Sequence, residues 1–285
     1  MQRQAFRFFH PMRVRWAEVD MQKIVFNAHY LMYFDTAMAD YWRALALPYE
    51  ASLQALQGDL YVRKATLEYH ASARADERID VGLRCSRIGN SSLLFEGGVF
   101  RGDTLLVGGE LVYVFADPAT QTPRPVPELL RSVLQGFEAG ESMLDIRTGS
   151  WDTLQAHAGP LRTAVFVQEQ GIPAELEWDA DDASALHAVA FNRLGLPVAT
   201  GRLVRQADGA ARIGRMAVLP LLRGAAVGRA VLDALVEAAR ARGDRQIVLH
   251  AQRCAEGFYR RAGFAAQGDP YEEAGIAHIT MARTL

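Results

Sequence analysis

The hydrophobic positions of this chain change period more than once. Positions 30, 33, 34, 37, 38, 41 and 42 hold Tyr, Tyr, Phe, Ala, Met, Tyr and Trp, a spacing that predicts a helix. Leu31 and Met32 carry the apolar surface almost around it, and a helix apolar on nearly all sides is expected to be buried. From 61 to 70 the period falls to two. Tyr61, Ala65, Leu67 and Tyr69 are expected on one face of a strand, with Lys64, Thr66, Glu68 and His70 on the other. Further strands are expected at 79–88, 93–100 and 105–115, with Gly89-Asn90 and Gly102-Asp103 as turns. The first half therefore reads strand, long helix, four strands.

Pro118, Pro123, Pro125 and Pro127 interrupt both periods, because proline suits neither a helix interior nor a central strand. A short helix is expected from 128 to 137, and the division into domains is placed between 138 and 139. Beyond it, 186–191, 198–204 and 212–218 read as strands. The amphipathic helix 228–240 turns Val231, Leu232, Leu235, Val236 and Ala239 inward. A strand at 246–250, a helix at 255–261 and closing strands near Phe264 and Ile279 complete a pattern that suits a mixed α/β sheet. The fold class is α+β, with an antiparallel domain followed by a mixed one.

Composition narrows the function classes. The 285 residues are enough for two domains. A net charge of −2 gives no electrostatic footprint for nucleic acid. Cys85 and Cys254 lie in opposite halves, which argues against a disulfide framework and, without a histidine cluster, against zinc. The amino terminus lacks the apolar stretch of a signal peptide, and no apolar run approaches the ~20 residues of a membrane span. A cytoplasmic protein with no membrane partner is expected.

Two segments carry candidate chemistry. In the first, Asp20 precedes the long helix by a few residues. A carboxylate here either caps the helix or does chemistry, activating water or attacking as a nucleophile, with the helix start offering unpaired N–H groups to a developing oxyanion. Trp16, Glu18 and Asp20, followed by Phe26, Asn27 and Tyr30, resemble the active-site segment of hotdog-fold acyl-CoA thioesterases of the hydroxybenzoyl-CoA type, over about residues 8–135. The resemblance implies Asp20 as the catalytic aspartate, the amide near Asn27 as the thioester-polarising group, and Phe26 and Tyr30 as substrate-side aromatics. Lys23 stands where many members carry glycine, and Asn27 where histidine or proline is common. Glu18 is read as a structural or surface carboxylate.

In the second, Arg223-Gly224-Ala225-Ala226-Val227-Gly228-Arg229 follows a strand and opens a helix. Small residues there let backbone amides approach a phosphate, and the helix dipole favours the anion. With Met216-Ala217-Val218 before it and Gln252 and Phe258-Tyr259-Arg260-Arg261-Ala262-Gly263-Phe264 after it, the segment resembles GNAT N-acetyltransferases, over about residues 143–285. The resemblance implies that Arg223, Gly224, Ala226, Gly228 and Arg229 hold the CoA pyrophosphate. It also implies that the Met216 and Val218 backbone pairs with pantetheine, and that Tyr259 protonates the CoA thiolate. Ala226 replaces the inner glycine of the pattern, an easy exchange only if that residue is helical. The segment 162–173, with Asp179, Asp182 and His187, is similar to one subgroup of small acetyltransferases; Glu169 or His187 can be drawn there as a base for an amine. His250 is read as packing or hydrogen bonding.

Together the two resemblances imply a bifunctional acyl-CoA enzyme, a thioesterase joined to an acetyltransferase. Acyl-CoA and acetyl-CoA are its substrates, an unidentified amine is the acceptor, and no metal or covalent cofactor is needed. By the same resemblance, a homodimer or tetramer forms through the first domain. The alternative is a thioesterase whose second domain is a non-catalytic acyl-CoA-binding or assembly module.

Overall fold

The structure, a computed structural model, describes every residue except 207 and 208. The chain divides into two compact units, Met1–Met143 and Leu144–Leu285.

The first unit runs β1 (Phe8–Arg13), α1 (His29–Ala44), α2 (Tyr49–Ala55), β2 (Asp59–Tyr69), β3 (Arg78–Ile88), β4 (Ser92–Arg101), β5 (Thr104–Ala116) and α3 (Glu128–Ala139). The five strands form one antiparallel sheet in the order β1-β3-β4-β5-β2. Helix α1 packs on it with Tyr33, Phe34, Ala37 and Tyr41 fully buried. Its closest approach is made possible by two glycines paired across β4 and β5, Gly97 and Gly109. A Cβ at Gly97 would stand 2.4 Å from Phe34 Cε1, and one at Gly109 would stand 3.0 Å from Phe34 Cε2. This slot seats the helix on the sheet, and the arrangement is the hotdog one.

Two details differ from the periodicity. Leu31 and Met32 are 42% and 39% exposed, because the sheet covers only one side of α1. In β2 the pairing with β5 jumps from Val62 to Lys64. This bulge reverses the side-chain alternation, so Tyr61 lies on the opposite face from Ala65, Leu67 and Tyr69.

The second unit runs β6 (Leu144–Gly149), α4 (Trp151–Arg162), a π-helical stretch (Thr163–Glu169), α5 (Ala174–Glu177), α6 (Asp181–Ser184), β7 (Leu186–Asn192), β8 (Pro197–Arg205), β9 (Ala210–Val218), α7 (Val227–Arg242), β10 (Gln246–Gln252), α8 (Glu256–Arg261), β11 (Ala265–Glu273) and β12 (Ile276–Thr284). The sheet order is β11-β12-β10-β9-β8-β7-β6. The expected inward face of α7 is buried at all five positions. Strand β6 and helix α4 are not visible in the periodicity: β6 is a short, largely polar edge strand, and α4 contains Gly159 and Pro160, which weaken a helical signal.

Among the described residues only β9 and β10 pair in parallel, and their ladder ends at Ile213–Leu249. Past that point, among the described residues, β9 keeps β8 as its partner but has none on β10. A bulge accompanies the parting: the register with β8 shifts between Thr200 and Arg202, and Arg215, opposite it, takes φ +52. Bulges increase local twist and bend the strand that carries them. The end of β9 is thus turned away from β10, opening a split in the sheet.

Between β9 and α7 the chain turns through Gly224 at φ +84 and Ala226 at φ +61. Ala226 is therefore left-handed, not helical, and acts as the N-cap of α7 without a side-chain bond.

Two stability measurements check these packing statements. Gly97→Ala overfills the slot that holds Phe34 and should lower the stability of the first unit by about 1–3 kcal/mol, read from its urea transition. Ala226→Gly removes a left-handed alanine from a helix N-cap and should raise the urea midpoint of the second unit, by about 1 kcal/mol in free energy.

Candidate functional site

In the first unit the segment before α1 doubles back on itself. The Phe26 amide donates to the Glu18 carbonyl at 3.0 Å, Val19 bridges Val25, and the Asp20 amide donates to the Ile24 carbonyl at 3.0 Å. Lys23 closes the turn at φ +62, a conformation that glycine adopts without strain. Glu18 anchors the segment. Only 3% exposed, it accepts hydrogen bonds from the Tyr33 hydroxyl at 2.8 Å, the Arg15 amide at 2.7 Å and Arg15 Nε at 2.7 Å. Burial alone would push this carboxyl up, but the Arg15 and Tyr33 bonds outweigh it and hold the group below the ordinary glutamate range. Glu18 is thus a structural carboxylate tied to α1.

Asp20 is placed differently. It does not cap α1, whose N-cap is Ala28 with no side-chain bond. One carboxylate oxygen accepts the Gln22 amide at 2.8 Å, and among the described residues the other has no protein donor. The Asn27 and Ala28 amides at the helix start likewise have no protein acceptor among the described residues. The Asn27 carbonyl receives the Tyr30 amide at 3.3 Å and the Tyr69 hydroxyl at 3.2 Å. Tyr30 is buried, and its hydroxyl oxygen accepts the Ala73 amide at 2.9 Å. Phe26 is 46% exposed and meets the His29 ring edge-on. Asp20, Phe26, Asn27 and Tyr30 therefore share one turn and one helix start, with a half-free carboxylate and open amides.

In the second unit, residues 162–187 form a buried ion cluster. Arg162, only 1% exposed, packs its guanidinium over the rings of both Trp151 and Trp178, 5.1 and 4.6 Å from their centroids. Its guanidinium donates to Glu177 at 2.5 Å and Asp182 at 2.7 Å. Arg202 reaches the same Asp182 oxygen at 2.7 Å and Asp179 at 2.5 Å. Burial alone would raise the Asp182 carboxyl, but the two arginines hold it below the usual carboxylate range. His187 is 1% exposed and its Nε2 bonds the Asp182 carbonyl at 2.9 Å. Burial lowers its pKa, so it is neutral at pH 7. Asp179, Asp182 and His187 thus brace α4 against β7 and β8.

The π-helical stretch carries Glu169 and Gln170 to the end of β9. Arg223 grips Glu169 with two bonds of 2.6 Å, and its Nε donates to the Val218 carbonyl at 3.3 Å. The Arg223 bonds, first among the causes, hold Glu169 below the ordinary range and make it a weak base. Arg229 is engaged too, donating to Asp233 at 2.8 Å and to the Arg261 carbonyl at 3.3 Å. A Cβ at Gly228 would stand 3.0 Å from Val218 Cγ2 and 3.9 Å from Phe258 Cζ. The start of α7, the free end of β9 and helix α8 therefore converge at the split, and Met216 and Val218 lie on the stretch of β9 beyond the last β10 rung. Tyr259 is 8% exposed and packed against the Phe258 and Phe264 rings. Its hydroxyl has no protein partner among the described residues, and burial pushes the phenol up to about 12. Gln252 donates to Gln170 at 2.9 Å.

The sequence pattern did not disclose that both loop arginines are paired with carboxylates. Glu169 is 54 residues from Arg223, and only the tertiary fold joins them. The Asp233 partner of Arg229, four residues on along one helix, had a readable signal in its spacing.

Known proteins match the two units separately. The thioesterase superfamily matches residues 22–108, and the acetyltransferase (GNAT) domain matches residues 155–285. The acyl-CoA thioester hydrolase YbgC of Escherichia coli is 30% identical over 125 residues, covering 42% of this chain and 90% of that protein. YjcF of Bacillus subtilis, an uncharacterised N-acetyltransferase, is 36% identical over 122 residues, covering 42% of this chain and 86% of that protein. A crystal structure of an acyl-CoA N-acyltransferase from Pseudomonas aeruginosa aligns with 32% identity and a TM-score of 0.45, over 49% of this chain and 99% of that one. No helix among the described residues is long and apolar enough to cross a membrane. The chain belongs to both families, a thioesterase-superfamily domain followed by a GNAT acetyltransferase domain.

Proposed function

We propose that the chain is a bifunctional acyl-CoA enzyme. The domain over 1–138 hydrolyses an acyl-CoA thioester, and the domain over 139–285 transfers an acetyl group from acetyl-CoA to an amine. The observation that carries the first half is the half-free Asp20 carboxylate beside the open amides of Asn27 and Ala28. Asp20 activates water or attacks the thioester carbonyl itself, while the amide of Asn27 donates to the developing oxyanion. The C–S bond breaks, and the CoA thiolate takes the proton that the water gives up; where Asp20 attacks, water then hydrolyses the acyl-aspartyl anhydride and frees the carboxylate. Phe26 and Tyr30 line the acyl side. The exposed apolar side chains Trp16, Met21, Val62 and Tyr69 support assembly into a homodimer or tetramer through this domain.

In the second domain Tyr259 carries the reading. A phenol held up to about 12 stays protonated across the working range and can donate to the leaving thiolate. Gly224, Ala226 and Gly228 present backbone to the pyrophosphate, Arg223 and Arg229 supply positive charge, and Met216 and Val218 lie on the stretch of β9 past the last β10 rung, where pantetheine pairs with the backbone. One alternative is supported by two observations: left-handed Ala226, and loop arginines already paired with Glu169 and Asp233. It makes this domain a non-catalytic acyl-CoA-binding or assembly module.

Free-thiol release from a panel of acyl-CoAs, without amine, tests the first half. Asp20→Asn should reduce it roughly 100-fold or more with thermal unfolding unchanged; retained release would exclude Asp20 from the chemistry. Amide formation from acetyl-CoA and added amines, followed by mass, tests the second half. Tyr259→Phe should slow it roughly 100-fold and leave acetyl-CoA binding intact, and the unaltered enzyme should show no loss assignable to Tyr259 ionisation below pH 10. Tight acetyl-CoA binding with no amide from any amine would establish the binding module instead.

A further inference from the structure

His250 lies where β10 leaves β9. The parallel ladder ends at Leu249, so His250 is the first β10 residue beyond the last rung, and it is exposed. It pairs with Thr280 across β12. Gln252, two residues on and on the same face, pairs with His278, which in turn pairs with Tyr271 of β11. One face of the sheet at the mouth of the split thus carries His250, Gln252, His278 and Tyr271. These groups are in contact: His250 Nδ1 is 2.5 Å from the Tyr271 hydroxyl and 3.5 Å from Thr280 Oγ1. The Tyr271 ring stacks on His278 at 6.0 Å and 22°, and His278 Nδ1 is bonded to the Ile276 carbonyl at 2.8 Å. Gln252 holds Gln170 to the same face.

The geometry points to His250 as the general base for the acceptor amine, its ring oriented by Tyr271. This rests on the acetyltransferase reading of the same split. With Nδ1–H donating to the Tyr271 oxygen, Nε2 presents a lone pair and has no protein partner among the described residues. The two other candidate bases are committed elsewhere, Glu169 to Arg223 and His187 to the buried ion cluster. The acceptor enters as an ammonium ion, and Nε2 takes one of its protons. The freed amine forms a C–N bond to the acyl carbon, the C–S bond breaks, and the thiolate takes the Tyr259 proton. The amide nitrogen then sheds its second proton, which restores Tyr259. The sum is ammonium plus acyl-CoA going to amide, CoA thiol and one proton.

The charges around the ring suit this task. Partial burial lowers the His250 pKa, Glu273 of β11 opposes this, and Arg212 of β9 and His278 of β12 add to it. Arg212 is itself held by Asp181 at 2.6 Å. The imidazole is therefore neutral and ready at pH 7. Its base form is lost only as pH falls through a value below the ordinary 6.5.

The test uses the full chain, acetyl-CoA, and ethanolamine, spermidine and lysinamide as acceptors, with amide formation followed by mass from pH 5.5 to 9.5 (a range of about four units, chosen to span the histidine and reach toward the amines). His250→Gln should lower the rate at pH 7 roughly 100-fold. The loss should shrink as rising pH supplies free amine, and acetyl-CoA affinity should match that of the unaltered chain. Tyr271→Phe should shift the acidic limb of the profile without abolishing transfer. An unchanged rate and pH profile in His250→Gln, alongside a loss in Tyr259→Phe, overturns the base assignment and leaves the transferase reading standing. No amide from any acceptor with the unaltered chain overturns both.

Discussion

A charge inside a protein must be paired, and in both units that requirement fixes the candidate site. Leaving a buried carboxylate or guanidinium without its partner costs about 3–5 kcal/mol, so each segment that carries one is confined to the place where the partner stands. In the first unit Glu18 is that group. Its bonds to Arg15 and Tyr33 hold the turn beside α1, where Asp20 keeps one carboxylate oxygen without a protein donor among the described residues. In the second unit Arg162, Arg202, Glu177 and Asp182 do the same for the chain between α4 and β7. The groups assigned to chemistry are the less constrained neighbours of groups assigned to anchoring.

Steric constraint adds to electrostatic constraint. Phe34 seats between Gly97 and Gly109, so the helix that bears the open amides approaches the sheet as closely as backbone allows. In the other unit, Gly228 brings α7 against Val218 and Phe258. Each candidate site lies at a helix start, and each helix is held by residues too small to keep a neighbour away.

Much of this is legible in the sequence because it is local. The three-and-four spacing of Tyr30 through Trp42 located α1, and the inward face of α7 was read at every position. The order Trp16, Glu18, Asp20 marked the first turn, and the small residues after Val218 marked the second. What escaped was long-range or conformational. No pattern announces that Glu169 meets Arg223, or that a bulge at residue 63 turns Tyr61 to the other face of β2. Ala226 is a case of its own: alanine is the best helix former, so its left-handed backbone ran against its propensity. His250 looked like a packing residue because its partner Tyr271 lies 21 residues away on a strand that is not its immediate neighbour.

The short ladder between β9 and β10 has a mechanical consequence. The seven-stranded sheet is two antiparallel ribbons, β6 to β9 and β10 to β12, stitched by a seam running only from Gln246–Ala210 to Leu249–Ile213. A seam so short has little of its own to resist opening, and its amides stand among the first in the sheet to exchange with solvent. A molecule lodged in the split takes up backbone groups that no strand satisfies, so its binding free energy also tightens the join. The occupant of the cleft would then behave as a missing stretch of strand, and the cohesion of the domain would rise and fall with its supply.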